Sequence, residues 1–378
     1  MPNGKVIAPG AVIGILGDGQ LGKMIAMAAA RLGYKVAVLG PIGRESPAGQ
    51  VAYWAEAWGP NAQVEDEQFE RFCSLVAVVL IEWENVPVGL LERIEARGIP
   101  VRPSSKVLAV AQDRLLEKKL ARELDIGETM LLSIEKGYDL LNGRGDRTQD
   151  WPFETILKTR RAGYDGKGQA RIPAGGSVGD AWTKLGNVPC ILEQVVDFIG
   201  EVSVIVARRE DGETAIYGPF QNTHRDGILR LTQYPISGGP MYDLRDSIRE
   251  QGYAAARKLT EYLRVDGLLA VEFFVTKEGY VLFNEMAPRP HNSGHLTIEC
   301  CDTSQFEQYV RAACNLPLGS THCHSPGEML NILGSEANDW LRRVGEDRLA
   351  VHLYGKGEAK PGRKMGHTTI TAFAPNDE

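Results

Sequence analysis

Short apolar runs alternate with amphipathic stretches through the first third of the chain. Ala11–Leu16 is an apolar run followed by a glycine-rich turn, and Leu21, Met24, Ile25, Ala28 and Leu32 then recur at helical spacing before Gly33 ends the helix. Lys35–Leu39 predicts the next strand, Val76–Ile81 a continuous apolar one, Val88–Arg97 a helix closed by Gly98, and Ile99–Arg102 a short strand. Apolar strands joined by helical crossovers belong to a parallel sheet covered on both faces, so the pattern predicts an α/β domain.

The grammar changes further on. Ser104 suits a helix N-cap, and the helical pattern through Asp113–Leu124 ends near Gly127, giving a connector out of the first sheet. The polar, glycine-rich stretch Asn142–Asp150 predicts a loop, and Thr155–Thr159 a strand. Pro189–Val196 and Glu201–Ala207 follow as strands, the second placing Val202, Val204 and Val206 on one face. Tyr242–Leu263 predicts a long amphipathic helix, and Leu268–Thr276 with Tyr280–Glu285 a hairpin around Glu278-Gly279. From Leu316 on, short strands and turns predict a small third unit.

Length and composition fit this organisation. A chain of 378 residues, 43% hydrophobic and 24% charged, has the makeup of two or three globular domains. Forty-two basic against forty-nine acidic side chains leave a net charge of -7, which argues against nucleic acid as a partner. Every apolar run falls far below the roughly 20 residues of a membrane span, and Met1–Pro9 lacks a signal-peptide core, so a cytoplasmic protein is expected. Six cysteines are too sparse for a disulfide framework. The adjacent residues His322, Cys323 and His324, with Cys300 and Cys301, lack zinc-site spacing and are expected to leave the cysteines as thiols.

Four constellations could carry chemistry. Gly17-Asp18-Gly19-Gln20-Leu21-Gly22 lies between a strand and a helix, where backbone amides can hold a phosphate. The following strand ends Leu39-Gly40-Pro41, without the acidic residue a dinucleotide ribose needs, so phosphate binding and plain strand–helix packing both remain open. Gly163-Tyr164-Asp165-Gly166-Lys167-Gly168-Gln169, after a strand carrying Lys158, suits a flap over a polyphosphate, with an exposed hairpin turn as the bland alternative. A two-residue loop at Glu278-Gly279 would set Phe274 opposite Phe283 and Glu272 opposite Glu285. Opposed carboxylates repel unless a cation lies between them, which suits Mg²⁺ on a triphosphate; a register slip or arginine neutralisation is the alternative. The run Arg289, Pro290, His291, Asn292, Ser293, Gly294, His295 and the basic pieces Tyr354-Gly355-Lys356 and Arg363–His367 suit either a phosphorylated substrate or a solvated surface.

Taken in order, these motifs resemble the ATP-grasp superfamily and, within it, the N5-carboxyaminoimidazole ribonucleotide synthetase family. The likeness runs nearly end to end, through Gly19–Gly22, Glu82-Trp83-Glu84-Asn85-Val86-Pro87, Gln112-Asp113-Arg114 with Lys118, Gly163–Gln169, Glu193 with Glu201, Asn222-x-His224, Gly227–Leu229, Val271–Phe274, Asn284-Glu285 and Ala287–His295. Trp83, where the family often has Phe, and Cys300, where it often has Ala, are departures away from the proposed chemistry.

The resemblance implies a Rossmann-like N-terminal domain (1–112), a two-lobed ATP-grasp (113–315, small lobe about 120–200, large lobe about 201–315) and a small β-rich C-terminal domain (316–378). It implies ATP between the lobes, with Arg114 and Lys158 on phosphates and Gly163, Tyr164, Asp165, Gly166, Lys167, Gly168 and Gln169 covering them. Glu193, Gln194, Val195 and Val196 would meet the adenine, Glu201 the ribose, and His224 and Asn284 the nucleotide side. Glu272 and Glu285 would hold Mg²⁺. Gln20, Tyr164, Asp165, Arg289, His291, Asn292, Lys356 and Arg363 would bind 5-aminoimidazole ribonucleotide, with Arg289, Asp165 and Tyr164 catalytic. The implied activity is ATP- and bicarbonate-dependent carboxylation of that amine through carboxyphosphate, in purine biosynthesis, by a homodimer. Another ATP-grasp ligase acting on a phosphorylated small molecule is the alternative; an NAD-linked oxidoreductase and a non-catalytic nucleotide-binding module are further competitors.

Overall fold

The computed structural model describes residues 5–135, 152–163 and 166–371. The first unit is a five-stranded parallel sheet of β1 (Val12–Leu16), β2 (Lys35–Gly40), β3 (Trp54–Ala57), β4 (Val78–Ile81) and β5 (Val101–Arg102), in the order β3-β2-β1-β4-β5. Helices α1 (Gln20–Arg31), α2 (Asp66–Leu75) and α3 (Val88–Glu95) are its crossovers. The apolar strands are buried throughout, as expected of a sheet covered on both faces. Strand β3 and helix α2 are additions to the sequence reading. Trp54–Ala57 carries one apolar aromatic and a glutamate on a sheet edge, too weak a pattern to stand out.

Helices α4 (Ser105–Ala111) and α5 (Arg114–Glu123) lead out of this unit. Ser104 does precede α4, but its side chain makes no cap; the Glu95 carboxylate accepts from Ser105 N at 2.8 Å instead. Asp113 caps α5 by accepting from Leu115 N. The next sheet contains β6 (Met130–Ile134), β7 (Thr155–Thr159), β8 (Gln169–Ile172) and β9 (Cys190–Gln194), ordered β6-β9-β7-β8, with α6 (Val178–Lys184) packed beneath. The expected loop Asn142–Asp150 lies outside the described residues.

The third sheet has eight strands: β10 (Phe198–Arg208), β11 (Thr214–Arg225), β12 (Ile228–Tyr234), β13 (Gly267–Thr276), β14 (Val281–Ala287), β15 (Gly327–Leu333), β16 (Leu349–Leu353) and β17 (Lys364–Thr371). Their order is β14-β13-β10-β11-β12-β15-β17-β16, so the C-terminal strands extend the same sheet through β12–β15 pairing. Helix α7 (Arg245–Tyr262) covers one face, burying Val202, Val204 and Val206 with Leu259 and Ile248. Helix α8 (Gln305–Ala313) and α1 fill the space between the first and third sheets. Tyr309 fixes that junction: its hydroxyl receives Ile81 N at 3.0 Å and donates to Arg102 O at 2.9 Å.

Two expectations are corrected. The hairpin loop has three residues, because Thr276 N bonds Tyr280 O and Gly279 takes the left-handed conformation (φ 84°). Phe283 therefore faces Phe273, and Phe274 stacks on Phe198 instead, with ring centroids 4.9 Å apart. Cys301 and Cys323, expected as thiols, are joined by a disulfide, because an isolated antiparallel bridge sets them directly opposite each other.

Candidate active site

Two cavities open between the sheets, of about 800 and 630 Å³. Arg114, Lys167, His224, Gly227, Glu272 and Glu285 line both, so the two spaces meet there. Glu272 and Glu285 are cross-strand partners on β13 and β14. The pairing survives the longer hairpin loop because a β-bulge between Glu272 and Phe273 restores the register. Glu272 is buried and receives His291 Nε2 at 2.8 Å. Burial alone would raise its pKa, but the His291 charge and hydrogen bond prevail and hold it low. Glu285 is half-exposed, with Arg114 at 3.7 Å. Nearby, burial and the Glu285 charge push the Glu117 carboxyl up to about 8.

The smaller cavity holds the nucleotide-side candidates. At its end Glu193 is almost fully buried, with Lys118 Nζ at 2.6 Å and Lys158 in direct contact. Burial opposes its charge, yet the two ammonium groups hold its carboxyl far below the usual range. Lys158, expected at phosphates, therefore also neutralises Glu193. Gln194, Val195, Val196, Asn284 and Gln169 line the same space, with Phe198 and Phe274 forming an aromatic wall. Glu201 accepts from His224 Nδ1 at 2.7 Å. Burial opposes charge on His224, but Glu201, Glu272 and Glu285 together raise its pKa. Arg114 donates to Thr159 O at 3.1 Å and to Gly163 O at 2.9 Å, holding the start of the glycine loop beside Glu285. Gly166 and Gly168 have φ of 76° and 70°, a conformation that suits glycine, and Gly166 lies against the Asp226-Gly227 turn between β11 and β12. Tyr164 and Asp165 lie outside the described residues.

The larger cavity gathers Gln20, Arg289, His291, Asn292, Lys356 and Arg363 from three separate regions of the chain. Arg289 is paired with Glu84; burial opposes its charge, but Glu84, Glu82 and Glu285 outweigh it and raise its pKa. His291 Nδ1 meets Ser293 Oγ at 2.8 Å, and a buried chain runs on through Ser203, Asn222 and Thr232. This network fixes the imidazole between Glu272 and Ser293.

The first glycine loop behaves as packing and as anion site at once. Its anion is internal. Glu82 accepts from Gly19 N at 2.8 Å and Gly22 N at 3.3 Å, occupying amides at the start of α1 that a phosphate was expected to use. Asp18 does the same for the next loop, accepting from Ile42 N and Gly43 N at 2.6 and 2.8 Å. The sequence motifs contain Asp18, Glu82 and Glu84 without assigning them a role at the site. The run Glu82-Trp83-Glu84 directly after an apolar strand was the available signal, since carboxylates at the C-terminal end of a parallel strand face a ligand crevice. Among the described residues, no group of three or more His, Cys, Asp or Glu side chains converges as a metal site.

Comparison with known proteins agrees with this layout. Residues 11–112 match the ribonucleotide synthetase preATP-grasp domain, 141–306 the ATP-grasp domain, and 328–377 the phosphoribosylaminoimidazole carboxylase C-terminal domain. The chain is 39% identical over 379 residues to N5-carboxyaminoimidazole ribonucleotide synthase of Bacillus subtilis (strain 168), covering 99% of this chain and 94% of that one. An ADP complex of an N5-carboxyaminoimidazole ribonucleotide synthetase superimposes with a TM-score of 0.87 at 37% identity, covering 97% of this chain and 94% of that one. The Aspergillus clavatus synthase in complex with ADP and 5-aminoimidazole ribonucleotide gives 0.82 at 29%, covering 96% and 94%.

Proposed function

The chain belongs to the N5-carboxyaminoimidazole ribonucleotide synthase family, and from that premise we propose how its residues divide the work. It is an ATP-dependent ligase that carboxylates 5-aminoimidazole ribonucleotide in purine biosynthesis. The observation that carries the division of roles is the junction of the two cavities at Arg114, Lys167, His224, Glu272 and Glu285. ATP occupies the smaller cavity, its base against Gln194–Val196 and its ribose near Glu201. Its phosphates point to the junction, within reach of Arg114, Lys158 and the loop Gly163–Gln169. The aminoimidazole ribonucleotide occupies the larger cavity, with Arg289, His291 and Asn292 around the reacting end and Gln20, Lys356 and Arg363 toward its phosphate. The buried Asn292 Oδ1 has no hydrogen-bond partner among the described residues and is left as an acceptor for the exocyclic amine.

Bicarbonate is a weak electrophile, and phosphorylation by ATP turns it into carboxyphosphate. Charge grows on the transferred group, and Arg114, Lys167 and Arg289 are the cations available to stabilise it. Exclusion of water preserves the intermediate until the amine attacks its carbonyl carbon, which releases phosphate and leaves the N-carboxylated product. Tyr164, Asp165 and Arg289 are assigned the catalytic contacts. The donor set fits Mg²⁺: Glu272 and Glu285, two opposed hard-oxygen carboxylates on neighbouring strands, would hold it. Mg²⁺ there supplies charge neutralisation of the triphosphate. We further assign domain limits at 112 and 315, a cytoplasmic location and a homodimeric state. Support comes from the family resemblance, and for the first limit from the match of residues 11–112 to the preATP-grasp domain.

The test is ADP release with aminoimidazole ribonucleotide, with and without bicarbonate. Turnover that needs both supports the reading. Turnover only with a different phosphorylated amine or acid replaces it with that of another ATP-grasp ligase.

A further inference from the structure

Lys356 is delivered to the larger cavity by a short segment whose backbone is held from outside the C-terminal region. Lys23 Nζ donates to Leu353 O and to Tyr354 O, each at 3.3 Å, and Gln50 Nε2 donates to Gly355 O at 3.3 Å. The three carbonyls preceding Lys356 are thus all taken by two side chains of the N-terminal unit. Gly355 has φ 74°, and a Cβ there would meet Gln50 Oε1 at 2.8 Å, so the backbone turns tightly against Gln50.

The side-chain face is equally constrained. Tyr354 is 1% exposed and its hydroxyl meets His367 Nδ1 at 2.9 Å, which fixes the ring. The Lys356 ammonium stands over that ring, 5.6 Å from its centroid. Lys23 lies one turn along α1 from Gln20, whose side chain faces the same cavity, so one helix positions two walls of the site.

We propose that Lys23 and Gln50 are positioning residues that aim Lys356 at the phosphate of the amine substrate, so that they set affinity for that substrate and not for ATP. Neither residue touches the cavity: both are absent from its lining, and both act through backbone carbonyls. The inference rests on the placement of the phosphorylated amine beside Lys356. A charged hydrogen-bond donor holding two carbonyls controls more orientation than a single neutral one, so Lys23 should matter more than Gln50.

The test is steady-state kinetics of K23M, K23R, Q50A, K356M and K23M/K356M, with thermal melts of each. K23M is expected to raise KM for aminoimidazole ribonucleotide about tenfold and Q50A about threefold. The KM for ATP and kcat should stay within twofold, and K23R should recover most of the loss. K23M/K356M should resemble K356M, because the two act through one ammonium group. If K356M leaves the amine KM unchanged, the underlying placement of the substrate is wrong. If K356M raises it but K23M and Q50A do not, or if K23M raises the ATP KM equally, the positioning role falls while the placement stands.

Discussion

Glu272 stands directly opposite Glu285 across β13 and β14, although the hairpin that joins these strands has one residue more in its turn than that pairing needs. A bulge next to Glu272 absorbs the difference. Bulges that re-aim a side chain beside a functional site are a recurrent device. Here the outcome is a pair of carboxylates facing each other at the junction of two cavities, one held by His291 at 2.8 Å and the other 3.7 Å from Arg114.

Glu285→Gln should lower kcat by roughly 100-fold or more while moving the melting temperature little, since Glu285 is half-exposed. Activity against Mg²⁺ concentration, with a melt as control, checks this. Turnover near the parent value would remove Glu285 from the metal assignment.

Glu193 balances two ammonium groups, and Lys118 among them is fully buried. Glu193→Gln leaves that buried charge uncompensated and should destabilise the protein by about 3–5 kcal/mol. Urea unfolding monitored by fluorescence measures the difference. A loss below about 1 kcal/mol would mean that Lys118 sheds its proton or finds water.

Glu117 gives a pH signature. Its carboxyl is raised from 4.5 to about 8 in the folded protein by burial and by Glu285. A raised group stabilises fully below its unfolded value and loses that contribution as pH rises through the folded one. Glu117→Gln stays neutral throughout, so its stability relative to the parent should grow between pH 5 and 9. Denaturant midpoints of both proteins across that range, with a chelator present, test the sign.

Gly17→Ala should disturb the site from a distance. Gly17 has φ 102°, and a Cβ there would lie 2.6 Å from Glu82 Cγ and Oε1. The strain costs about 1–3 kcal/mol and displaces the carboxylate that holds Gly19 N and Gly22 N. A lower melting temperature together with a raised KM for the amine is the expected pair of readings. A normal melt would show that the turn can relax.

Much of this protein was written locally. The parallel strands β1, β2, β4 and β5, helix α1 with its Gly33 stop and the long helix α7 all follow from apolar periodicity and turn residues, because those signals act over a few neighbours. Tertiary structure decided the rest. It alone put Glu82 on the amides of the glycine loop, 60 residues or more away in sequence. It also moved Phe274 from Phe283 to Phe198, joined Cys301 to Cys323, and ran the C-terminal strands into the sheet beside β12. It alone brought Gln20, Arg289 and Lys356 to one cavity. The physical reason is that periodicity reports which face of an element is buried, whereas the partner it is buried against depends on how the elements pack, which no short stretch of the chain encodes.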